Sequence, residues 1–111
     1  HRMTPDEYRN LALQLPEATE ESHMNHPDFR VRGKIFATLG PDGDWGMVKL
    51  TPDQQSEFMD SHPDVFTPAA GKWGERGATL MTLELAEPDT AELALTFAWR
   101  NTAPKKLLNE L

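Results

Sequence analysis

The chain opens on a helical period. In "TPDEYRNLALQLP", residues 4–16, Tyr8, Leu11, Ala12 and Leu15 recur at i, i+3, i+4 and i+7, so they share one face. Thr4 is placed to cap this helix, Pro5 suits its first turn, Glu7 completes a capping box, and Pro16 ends it. From Thr19 to Leu50 the period drops to two. Gly33 divides Phe29-Arg30-Val31-Arg32 from the run Lys34 to Leu39, and "GPDGDWG" marks a second turn before Trp45, Met47 or Val48, and Leu50. This pattern predicts three or four antiparallel strands joined by tight hairpins.

A second helix is predicted from Thr51, with Pro52 in the first turn, Asp53 near the positive end, Phe58 and Met59 as its apolar contact, and Pro63 as its close. Val65-Phe66 leads into "TPAAGKWGERG", which reads as a Gly-rich connection. Between Ala78 and Leu85, Thr79, Met81, Leu83 and Leu85 alternate with Leu80 and Thr82 as in a strand. Pro88 then opens a helix through about Arg100, whose apolar face holds Ala91, Leu93, Leu95, Phe97, Ala98 and Trp99, and "APKKLLNEL" forms a short helical tail. The order helix, strands, helix, two strands, helix predicts an α+β fold.

Length and composition narrow this to one domain. The 111 residues are 38% hydrophobic, with three Trp and five Phe available for a core. No apolar run approaches the roughly 20 residues of a membrane helix, and no secretory signal pattern is present, so a cytoplasmic, membrane-free protein is expected. With no Cys, disulfides, thiolate metal sites and cysteine nucleophiles are excluded.

The net charge of -7 opposes nonspecific attraction to polyanions. The charge is nevertheless uneven. Arg30, Arg32 and Lys34 form one acid-free cluster and Arg100, Lys105 and Lys106 another, whereas residues 50–71 carry Asp53, Glu57, Asp60 and Asp64 with no Lys or Arg.

Candidate chemistry is sparse. His23, His26 and Asp28 are metal-ligand types within six residues. On one extended strand, however, positions 23 and 26 point to opposite faces, and Pro27 prevents a helix from aligning them, so no metal site is expected. His62 could join them only through the fold. Glu20 with Glu21, or Asp42 with Asp44, could serve as an acid–base pair, although turn propensity accounts for the aspartates. No G-x-S-x-G, P-loop, H-E-x-x-H or G-x-G-x-x-G motif occurs, so neither catalysis nor a cofactor is expected. In "GKWGERG", residues 71–77, Lys72 and Arg76 could meet an anion while Trp73 stacks on a ligand. The alternative is that Trp73 anchors the loop to the core. Lys49, just before a helix cap, is equally open.

Together, "HPDFRVRGKIFATL", "GMVKLTPDQQSEF", "VFTPAAGKWGERGAT" and "AWRNTAPKKL" resemble the YjbR/MmcQ family of small bacterial proteins, collinearly from about Leu11 to Leu108. The resemblance implies a compact fold similar to the CyaY/frataxin-like arrangement, with a curved antiparallel sheet covered on one side by helices. It also implies DNA binding, because the family is described by its likeness to a double-wing domain of a phage transcription activator. Lys49 in "VKL" and Trp73-Gly74 match the family pattern, and no catalytic set or cofactor box comes with it. Iron binding of the frataxin kind would draw on Asp6, Glu7, Glu17, Glu20 and Glu21, of which Asp6 and Glu7 are equally explained by the helix dipole.

The leading expectation is therefore a DNA-binding module using Arg30, Arg32 and Lys34 on a hairpin, with Lys49, Lys72, Trp73, Arg76 and Arg100. The alternative is a regulatory module that binds a protein or a small anion in a concavity formed by the sheet face and the Trp73 loop. An enzyme or metal carrier has the least support.

Overall fold

A computed structural model describes residues 3–23 and 26–111. Helix α1 spans Pro5–Leu13, and its capping box is complete: Thr4 Oγ1 accepts from the Glu7 N–H at 3.1 Å, and Glu7 Oε1 accepts from the Thr4 N–H at 2.8 Å. Helix α2, Pro52–Ser61, repeats the device with Thr51 and Gln54. Strands β1 (Ala18–His23), β2 (His26–Val31), β3 (Lys34–Leu39) and β4 (Trp45–Lys49) lie between these helices. After α2 come β5 (Phe66–Pro68), α3 (Gly71–Glu75), β6 (Ala78–Thr82) and α4 (Pro88–Thr102).

All strand pairings are antiparallel, and the sheet order is β1-β2-β3-β4-β6-β5. The protein is thus a single α+β domain with a six-stranded sheet and four helices. Its radius of gyration of 12.7 Å matches the ~13 Å expected for one domain of this size. Among the described residues no helix is long and apolar enough to cross a membrane.

The pleat sorts the sheet residues. Phe29, Val31, Ala37, Val48 and Met81 are buried on the face covered by α1 and α4, against Tyr8, Ala12, Leu95 and Trp99. The Trp99 indole N–H donates to the Pro16 carbonyl at 2.9 Å, so the largest core side chain is also hydrogen-bonded. Between Phe29 and Arg30 the β2–β3 register shifts: Phe29 faces Ala37 and Arg30 faces Ile35. Phe36 is therefore an extra, bulged residue, and its ring joins Ala37 in the core while Ile35 faces outward.

The β2–β3 connection is a two-residue turn, Arg32-Gly33, with φ of 51° and 79°. Arg32 therefore belongs to the turn, and its expected place at the end of the preceding strand is corrected. Both positions need the left-handed backbone that hairpin twist favours, and Gly33 adopts it without steric cost.

Two further expectations are corrected. The strand predicted to Leu85 stops at Thr82, opposite Trp45; the Leu83 N–H still donates to the Asp44 carbonyl at 3.1 Å, and the chain then turns. Leu83–Leu85 instead forms a 3-10 turn that buries Leu83 and leaves Leu85 exposed. The supposed Gly-rich connection contains a helix, α3. Gly74 admits it because any Cβ there would run into the Ala69 carbonyl. The Gln55 side-chain amide donates to the Gly74 and Ala78 carbonyls at 3.0 and 3.1 Å and ties α3 to α2.

Candidate functional site

Strand β4 supplies the axis of the site. Gly46 and Val48 point into the core, so Trp45, Met47 and Lys49 emerge on the opposite face, which α1 and α4 leave uncovered. The register sets Met47 opposite Thr38 on one side and Leu80 on the other, while Lys49 pairs with Ala78. Ile35 and Leu80 extend the apolar floor, and Trp73, carried by α3, forms a wall. His26 closes the far side, its ring 5.9 Å from that of Trp45. The result is an open groove of about 430 Å³, within the range of small-ligand sites.

Trp73 is 63% exposed, the largest exposure among the large apolar side chains described. It does not anchor α3 to the core; Gln55 and the close approach of Gly74 to Ala69 hold the helix. The Lys49 ammonium lies over its ring, 5.7 Å from the centroid, within the reach of a cation–π contact.

Lys49 also borders two further depressions. One, of about 440 Å³, is polar and brings in Arg30 and Lys34 beside Asn101 and Thr102 at the end of α4. The other, of about 130 Å³, holds Trp73 and Arg76. Asn101 fixes this junction by donating to the Lys49 carbonyl at 3.0 Å and to Gln54 Oε1 at 2.7 Å.

The sequence-nominated residues thus divide. Arg30, Lys34, Lys49, Trp73 and Arg76 come together around Lys49, whereas Lys72 and Arg100 are exposed and border none of these three depressions. The hairpin cations do not present one surface. Arg30 lies along the open face, its guanidinium donating to both oxygens of the buried Asp28 at 2.8 and 3.2 Å, with Glu21 at 3.7 Å. Arg32 instead donates from Nε and Nη2 to the two Glu17 oxygens at 2.6 and 3.1 Å. That hydrogen bonding holds the Glu17 carboxyl below its usual range and raises the Arg32 guanidinium further. Hydrogen bonding to Asp28 raises Arg30 likewise.

His23 and His26 are cross-strand partners at the ends of β1 and β2, so they do not lie on one strand, and the argument from opposite faces is corrected. The side chain of His23 and the residues Met24 and Asn25 lie outside the described residues. Asp28 is committed to Arg30, and among the described residues no group of three His, Asp or Glu side chains is placed to hold a metal ion. Glu20 pairs with Arg9 at 3.0 Å, and Asp42 and Asp44 stay in their turn.

Sequence reasoning missed Ile35, Thr38, Trp45, Met47 and Leu80 as site residues. The signal was the ambiguity at Met47 and Val48. A strand that is apolar on both faces has a second surface to cover, and here α3 covers only part of it.

No curated protein matches the chain at a significant level. Among solved structures, the fold is similar to that of the Deinococcus radiodurans protein DR2400, which carries the DUF419 domain. The TM-score is 0.72 at 17% identity, over 88% of this chain and 77% of that one. The YjbR family model matches residues 13–101, which include every strand, the groove and Asn101. The chain belongs to the YjbR family.

Proposed function

We propose that this YjbR protein is a non-catalytic binding module whose open sheet face takes an anionic ligand with an apolar body. One observation carries this reading: Lys49 borders both the apolar groove and the polar depression that holds Arg30 and Lys34. A ligand lying across Lys49 would place its apolar part over Met47 and Leu80 and its charge among cations. Charge-assisted hydrogen bonds are the stronger kind, and burying the apolar body adds the area-dependent term. A thermal-shift panel of carboxylates and phosphate monoesters tests the reading. At least one should raise the melting temperature of the wild type and not of Lys49→Met. A panel without effect on the wild type rejects it.

The DNA-binding reading draws on the same junction, because Arg30, Lys34 and Lys49 share one depression. Against it stand the pairing of Arg30 with Asp28, the closure of Arg32 on Glu17 and the net charge of -7. The expectation is no mobility shift of duplex DNA at ~50 mM salt, where phosphate contacts are strong. A salt-sensitive shift that Lys34→Ala weakens would make DNA the ligand.

A further inference from the structure

We infer that the ligand of this face is a planar aromatic ring bearing a carboxylate or phosphate, an inference that rests on the anion-binding reading above and narrows it to one chemical class.

The groove is bordered by aromatic side chains. Trp73 sits on a helix of five residues that Gln55 and the close approach at Gly74 keep in place, yet its ring is mostly in solvent. Trp45 lies against the backbone of Gly40, where a Cβ would meet the indole at 2.5 Å, and is flanked by His26. Two indoles thus border one groove, and flat rings are what such surfaces stack upon.

The floor crosses β3, β4 and β6, two strand spacings or about 10 Å, and runs from Trp45 to Lys49, four residues or about 13 Å. A one- or two-ring aromatic with its acidic group fits inside this patch. A long acyl chain overruns it, whereas one as short as decanoate fits along β4 and lacks only the flat face on which the indoles stack.

In the free protein the Lys49 ammonium already covers the Trp73 ring. A neutral ring that stacks there competes with that cation and brings no charge to pair with it. An anionic ring takes the indole face while its charge pairs with the displaced ammonium, so each half of the ligand offsets the cost of the other.

Titration calorimetry on the full chain tests this with four probes: 2-naphthoate, 2-naphthyl phosphate, the neutral 2-naphthylmethanol, and decanoate. One or both naphthyl anions should bind at least about tenfold more tightly than the alcohol and decanoate, and the preferred anion identifies the acidic group. Trp73→Ala and Lys49→Met should each weaken that anion about tenfold, and Trp73→Phe should retain most of the affinity. Exposure of Trp73 predicts an unchanged fold in its variants, checked by circular dichroism. Decanoate binding as tightly as 2-naphthoate, with loss in Lys49→Met, overturns the aromatic class and leaves the anion site standing. Absence of binding by all four, or a self-association of the chain that Trp73→Ala abolishes, overturns both.

Discussion

The Lys49 ammonium and the Trp73 indole face each other at 5.7 Å across the join between β4 and α3. This pair links the apolar groove to the cationic depression, and the proposed ligand would lie across it. In the free protein the contact is solvent-exposed, so its worth is small. A double-mutant cycle of Lys49→Met and Trp73→Ala in urea unfolding should give a coupling of about 0.5–1 kcal/mol.

Gln55 holds the Trp73 helix through the Gly74 carbonyl and the start of β6 through that of Ala78. Gln55→Ala should cost about 1–2 kcal/mol of stability. It should also speed amide exchange in residues 71–77 more than in β2 and β3, as hydrogen–deuterium exchange would show. Uniform acceleration would mean that α3 is not separately tethered.

Asp28 is 2% exposed and positions Arg30 on the open face. Arg30→Ala leaves a buried carboxylate without its ion-pair partner, whereas Asp28→Asn releases a guanidinium that can reach water. Arg30→Ala should therefore be the more destabilising of the two. Chemical denaturation of both variants decides the order.

Glu17 and Arg32 make the pH-dependent contact. The folded-state pKa of Glu17 lies below its unfolded value because Arg32 hydrogen-bonds to the carboxylate. Its stabilising contribution is therefore fully present above the unfolded value and is lost as pH falls through the lower folded value. The difference in melting temperature between wild type and Arg32→Gln should be largest near neutrality and shrink on acidification below pH ~4.

Trp99 fills the core between α4 and the sheet and donates to the Pro16 carbonyl. Trp99→Ala should cost about 3–5 kcal/mol, and Trp99→Phe less, because the ring volume is largely kept while one hydrogen bond is lost. Thermal unfolding provides the comparison.

Local patterns were legible where one short stretch satisfied its own backbone. Thr4 and Thr51 each announce a helix because the residues that close their capping boxes lie three positions away. The turn at Gly33 and the helical face containing Leu95 and Trp99 are readable for the same reason. The candidate site was legible in its cations and in Trp73. Its apolar floor was not, since alternation identifies two faces of β4 and leaves open how much of each is covered.

The sequence by itself determined the α+β class, both Thr-Pro helix starts and the family to which the chain belongs, because these depend on neighbouring residues or on collinear segments. Only the tertiary structure decided which cations are committed, pairing Arg30 with Asp28 and Arg32 with Glu17. It also inserted β6 between β4 and β5, ended that strand at Thr82, made α3 a helix and brought Lys49 to Trp73. These outcomes depend on pairings between distant segments, in which each strand or side chain acts according to the partner that the chain's path brings to it.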